Sequence, residues 1–177
     1  MVYLKDIGFD LHNNPVLFYI TSSYFDPGPK GDPRFWTLAH WYNQKWHFYE
    51  VTIRSHNYDM GSLYLEPDGT WRIIAPTEPG PQMYGTGGEM VMWISKNNGL
   101  SWKKIQNLTK SSLFNHSYAP RPVKAHPEFY AFWADGNPDK LSKSALYFTN
   151  QLGTKIWQLP YNMSDNYISP ILLKTKE

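Results

Sequence analysis

In the stretch Ser95-Lys96-Asn97-Asn98-Gly99-Leu100-Ser101-Trp102 a polar, glycine-bearing turn separates two apolar runs. Such a turn reverses the chain and marks a hairpin, because Asn and Gly accept backbone angles that other residues avoid. The pattern recurs: Asn43-Gln44-Lys45 precedes Trp46, and Asn150-Gln151-Leu152-Gly153 leads to Trp157, which spaces the three tryptophans by 56 and 55 residues. A second series of turns interleaves with the first. Asn13-Asn14-Pro15 leads into Val16, Pro67-Asp68-Gly69 into Trp71, and His126-Pro127-Glu128 into Phe129, with spacings of 55 and 58 residues. Two independent series with one period predict a repeat of two hairpins, or four antiparallel strands.

Composition agrees. Of 177 residues, 17% are aromatic and 18% charged, with 12 Gly and 14 Pro. Aromatics suit pleated surfaces, and Gly and Pro punctuate short turns, so the chain reads as all-β and not as a disordered tail, coiled coil or helical bundle. Repeated four-stranded units are the mark of propeller blades. The sequence therefore predicts a single β-propeller domain over 1–177 with about three blades, at about 1–54, 55–112 and 113–163, and a tail at 164–177. Rings close with more blades than three. The expected partner is thus the remainder of a longer propeller chain or a second copy.

Other features bound the function. The net charge is +2 and the basic residues are scattered, so neither nucleic acid nor a membrane surface is an expected partner. No cysteine is present, which removes disulfides and thiol chemistry. No apolar run is long enough to span a membrane, and Met1–Asp10 lacks a signal-peptide pattern. No cofactor is expected, although a structural Ca²⁺ or Zn²⁺ stays open.

Ser95–Trp102 resembles the Asp-box, Ser-x-Asp-x-Gly-x-x-Trp, of sialidases and other bacterial neuraminidase repeat (BNR) proteins, with Asn97 in place of the usual Asp. Asn57-Tyr58-Asp59-Met60-Gly61-Ser62-Leu63-Tyr64 and Ile74–Pro81, continuing into Tyr84-Gly85-Thr86-Gly87-Gly88-Glu89, are similar to the BNR-repeat propellers that degrade polysaccharides, among them ulvan lyases. The resemblance spans about residues 3–160 and matches the C-terminal part of such a protein. It implies a carbohydrate-active enzyme, secreted or periplasmic in its full-length parent. The Asp-box itself implies no chemistry: Ser95 and Asn97 bond the turn backbone and Trp102 packs the hairpin.

In a propeller the segments leading into each first strand, and the loops joining second to third strands, share one face. Two His-x-Tyr pairs lie in such lead-in segments, His56-Asn57-Tyr58 and His116-Ser117-Tyr118, 60 residues apart, with Arg54 and Arg121 flanking them. In an extended chain, residues i and i+2 project to one side. The long loops add Arg34, Glu78, Tyr84, Glu89 and Asp135, and Trp36, Trp41 and Tyr84 are candidate sugar-stacking residues. These groups suit β-elimination on a uronic-acid polysaccharide. Arg54 or Arg121 holds and neutralises the carboxylate, while His56, Tyr58, His116 and Tyr118 supply acid and base. Tyr84 and Glu89 complete the substrate-binding set. The same pairs serve equally as packing devices. Two alternatives stand beside the lyase: a sialidase-like glycoside hydrolase using Arg54, Arg72 and Arg121 with Tyr84 and Glu89, and a non-catalytic glycan-binding or scaffold propeller.

Overall fold

A computed structural model describes residues 1–54, 60–162 and 164–174. The protein is all-β, built from three antiparallel sheets in which chain order equals spatial order. The first holds β1 (Val2–Phe9), β2 (Pro15–Thr21), β3 (Arg34–Tyr42) and β4 (Lys45–Arg54). The second holds β5 (Ser62–Leu65), β6 (Trp71–Glu78), β7 (Glu89–Ser95) and β8 (Lys103–Asn107). The third runs from β9 (Asn115–Ser117) through β10 (Ala131–Gly136), β11 (Leu146–Thr149) and β12 (Lys155–Gln158) to β13 (Ile171–Lys174). Among the described residues the one helical turn is the 3₁₀ segment Pro29–Gly31.

The structure departs from the sequence reading at several places. Arg34, Glu78, Glu89 and Asp135, read as loop residues, lie in β3, β6, β7 and β10. The segment read as a tail contributes β13, a fifth strand on the third sheet, with Trp157 opposite Leu172. His116, read as lying before a strand, sits inside the three-residue β9, opposite Asp135.

The turns close by local chemistry. Asn43 and Gln44 both take left-handed angles (φ 50° and 60°) and connect the paired Tyr42 and Lys45, the two-residue turn whose twist matches a hairpin. In the 95–102 turn, Ser95 Oγ accepts the Gly99 N–H (2.9 Å) and Asn97 Oδ1 accepts the Ser101 N–H (3.1 Å). Trp102, half-buried, packs onto the core behind.

Burial follows the position of each sheet. In β2 every second residue is buried (Val16, Phe18, Ile20), as a strand with one covered face requires. In β6 and β7 nearly every residue is buried, so the second sheet is covered on both faces at these strands, whereas its edge strand β8 is largely exposed. One core joins it to the first sheet through Phe18, Trp36, Leu38, Ile73, Val91 and Trp93. A second core joins it to the third through Ile74, Met90, Met92, Tyr130, Trp133 and Ile156. Pro76 lies where β6 breaks register with β7, the kind of place where a strand tolerates proline.

The terminal sheets keep apolar outer faces. Cross-strand pairing puts Leu4, Ile7, Phe9, Phe35 and Phe48 on the side of the first sheet away from the second, and all are exposed. On the third sheet Phe129, Phe132, Phe148 and Trp157 form a stacked aromatic row that continues to the exposed Leu172.

Gly99 fixes the seam between the first two sheets. Its φ is +83°, and a Cβ there would stand 2.6 Å from Leu38 Cδ2 and 2.8 Å from Trp71 Cζ3. Gly99→Ala should therefore cost about 1–3 kcal/mol. Thermal unfolding should register a drop of about 2–4 °C per kcal/mol.

Candidate functional site

The first strands of the first two sheets and the segment that follows the first strand of the third meet at Asp6. β1 carries one extra residue, Lys5, so that Leu4 faces Tyr19 but Asp6 faces Phe18. This bulge turns Asp6 from the outer face to the side of the buried Phe18. There Asp6 Oδ2 accepts the backbone N–H of Leu63 in β5 (2.8 Å) and Arg121 Nε, from the segment after β9 (3.0 Å). Arg121 Nη2 also donates to Ile7 O (3.2 Å). Its Nη1 has no partner among the described residues.

Tyr118 stands close by in the chain. Its φ of 60° ends the extended run of β9, so its ring is 66% exposed while His116 is 4% exposed. The expectation that His116 and Tyr118 project to one side is corrected by this backbone turn. The Ala119 N–H reaches the Met60 carbonyl at 3.5 Å. The Tyr118 segment therefore lies beside the chain that follows His56 and Tyr58. Those two candidates lie outside the described residues.

The remaining candidates have internal partners. Arg54 donates to Thr77 O (2.7 Å), Ile53 O (2.8 Å) and Glu78 Oε1 (2.9 Å), with its guanidinium over Trp93. Glu78 also takes Lys104 at 2.8 Å. Burial works against its charge, but Lys104 and Arg54 prevail and hold its carboxyl below the usual range. Arg72 is buried on Glu66 (2.8 Å), which also accepts Tyr130 Oη at 2.5 Å. Arg54, Arg72 and Arg121 thus each have a different carboxylate, and no three-arginine clamp forms. Tyr84 lies partly exposed in the 79–88 loop, whose Gln82 is bonded to Asn115. Arg34 is fully buried on Asp32 and Gly28 O, and Trp36 is core.

Glu89 and His116 belong to one buried chain of hydrogen bonds. Glu89 accepts Thr109 Oγ1 (2.5 Å), Ser112 N (2.8 Å) and Ser112 Oγ (2.8 Å). Ser112 Oγ meets His116 Nε2 at 2.9 Å, and Trp133 Nε1 donates to His116 Nδ1 at 3.0 Å. Burial pushes the His116 imidazole below its ordinary pKa, against the pull of Glu89 and Asp135. The ring backs a cleft of about 850 Å³ between the second and third sheets, lined also by Asp135, Tyr147, Lys110 and Gln158. Asp135 Oδ2 accepts the Tyr147 hydroxyl at 2.8 Å, and burial followed by this bond pushes that phenol up.

A smaller cavity of about 430 Å³ opens among the turns and is lined by Asp10, His12, His40, Tyr42 and Asn98. Burial opposes the charge of Asp10, but Asn14, His40 and the His12 backbone outweigh it and bring its carboxyl to about 2. His40 Nε2 lies 2.9 Å from Asp10. Among the described residues no group of three or more His, Cys, Asp or Glu is arranged to hold a metal ion.

Sequence reasoning missed Asp6, Ser112 and Trp133. The bulge at Lys5 leaves no mark in an alternating pattern, and Ser112 reads as part of a polar connection. Compared with protein families, curated proteins and solved structures, the chain finds no match.

The knot at Asp6 is testable by a double-mutant cycle in denaturant. Asp6→Ala should cost about 1–3 kcal/mol, because it also strips the Leu63 N–H of its acceptor. Arg121→Ala, at a side chain one-third exposed, should cost less than about 1 kcal/mol. Additive losses would mean that the two residues are not coupled.

Proposed function

We propose that the chain is part of a β-propeller that cleaves acidic polysaccharide by β-elimination, its three sheets serving as blades. The observation that carries the reading is the junction at Asp6. One carboxylate gathers β1, β5 and the segment after β9, as first strands gathered around an axis require. Tyr118 is exposed beside it, and Arg121 keeps Nη1 for a ligand. The apolar outer faces of the first and third sheets are those of inner blades awaiting neighbours. The sequence resemblance to BNR-repeat lyases points the same way. The work of such a protein lies outside the cell, where these glycans are met.

In this reading Arg121 Nη1 neutralises the uronate carboxylate and so acidifies the C5 proton. A base removes that proton, the C4–O4 bond breaks, a C4=C5 double bond forms, and the leaving O4 takes a proton from an acid. Tyr118 fills one of these roles and the His56–Tyr58 pair the other. His116, with both nitrogens engaged, is a positioning residue for the Tyr118 segment. Glu89 and Arg54 hold the scaffold. The burial of these last groups also favours a second reading, a propeller that binds glycan without cleaving it.

Polygalacturonate, alginate and sulfated uronate glycans should be offered to the protein and followed in the near ultraviolet, where the unsaturated product absorbs. Tyr118→Phe should lower the rate about 10²-fold or more. Affinity for a glycan with no absorbing product would select the binding reading. New reducing ends without absorbance would select hydrolysis.

The outer faces have their own test. Light scattering on a size-exclusion column should give a 20.7 kDa monomer that binds a hydrophobic dye, its faces awaiting further blades. A dimer of twice that mass without dye binding would make a second copy the cover. A monomer that binds no dye would overturn the partial ring.

A further inference from the structure

The hydrogen bonds around His116 have a fixed direction. An indole N–H can only donate, so His116 Nδ1 is the acceptor of the Trp133 bond and the neutral ring carries its proton on Nε2. Nε2–H then donates to Ser112 Oγ, and the Ser112 hydroxyl proton goes to Glu89 Oε2. Every bond in the chain Trp133, His116, Ser112, Glu89 thus points one way, and it links β10, β9, the 108–114 connection and β7. Its Ser112–Glu89 and His116–Ser112 bonds join the third sheet to the second, and its Trp133–His116 bond ties β10 to β9 within the third. It also removes Ser112 from consideration as a nucleophile, because His116 offers it a proton and no lone pair.

We propose that His116 is a proton-operated latch between β9 and β10, inside the third sheet and on its side facing the second. When Nδ1 takes up one proton, the ring becomes an imidazolium with N–H on both nitrogens. Nδ1–H then faces the Trp133 N–H, donor against donor, and that bond is lost, whereas the Nε2 bond to Ser112 is kept. The charged and titratable groups facing the ring are Glu89 from β7, through Ser112, Asp135 from β10, Tyr147 from β11, and Lys110 on the same cleft wall. Asp135 stands directly opposite His116 in the β9–β10 ladder. The cation is drawn toward that carboxylate, which already holds the Tyr147 hydroxyl and the Ala145 N–H. The wall of the 850 Å³ cleft is rebuilt at this point. The latch is closed at neutral pH and released in acid.

The sign follows from the folded state holding the ring neutral. Above the unfolded value near 6.5 neither state binds the proton. As pH falls below it, the unfolded chain is protonated first and stability declines, until folded His116 is protonated as well.

Heteronuclear NMR of the whole chain between pH 7.5 and 4 tests the latch. The His116 ring and the Trp133 indole N–H should titrate with one shared midpoint below 6.5. The indole proton should exchange with water at least tenfold faster on the acid side. Trp133→Phe removes the opposing donor and should raise the His116 midpoint by about one pH unit. His116→Gln keeps an acceptor and a donor and should abolish the Trp133 transition. A Trp133 indole that ignores the His116 titration in the unaltered protein would overturn the proposal, whether or not the variants fold. So would an unchanged midpoint in Trp133→Phe.

Discussion

One carboxylate holds the centre of this structure. Asp6 belongs to β1, yet it bonds a backbone N–H of β5 and the guanidinium that follows β9. It does so only because Lys5 is an extra residue in β1. Without that bulge the strand's alternation would send Asp6 to the outer face with Leu4. β1 would then keep its pairing with β2 and its packing against β5 but lose the hydrogen bonds that Asp6 makes to Leu63 and Arg121. The bulge is therefore a positional device: it aims one side chain at the expense of one ladder position.

Around that junction the polar side chains are mostly committed inward. Each of three arginines has its own carboxylate: Arg54 with Glu78, Arg72 with Glu66 and Arg121 with Asp6. Buried charges need such partners, and removing one member is worse than never having had the pair. Tyr118 is the exposed side chain beside the junction.

The parts of the fold that were legible in the sequence are those governed by short-range chemistry. The turns at 43–44 and 95–102 are written in Asn, Gln, Gly and Ser, and their hydrogen bonds span a few residues. The all-β class follows from aromatics and turn residues in the same way. What was not legible depends on backbone irregularity or on distance. A left-handed Tyr118 has no compositional signal, since tyrosine rarely adopts that conformation, and it separates two rings that an extended chain keeps together. Arg121 and Asp6 lie 115 residues apart, so the one cannot be read as the other's partner. The fifth strand, Ile171–Lys174, is too short to carry a clear period and is recruited by the open edge of β12.

The two central strands of the middle sheet have no solvent side. In β6 and β7 the residues of one face answer to the first sheet and those of the other to the third, so a change of volume at Ile73 or Ile74 is felt in a different core each time. The sheet can drift only in step with both neighbours, whereas the outer sheets each have one face whose composition is bound by a single contact. In a protein assembled from such units, variation collects at the rim of each sheet and the interior advances only by paired change. β6 and β7 are thereby the slowest part of the molecule to rewrite.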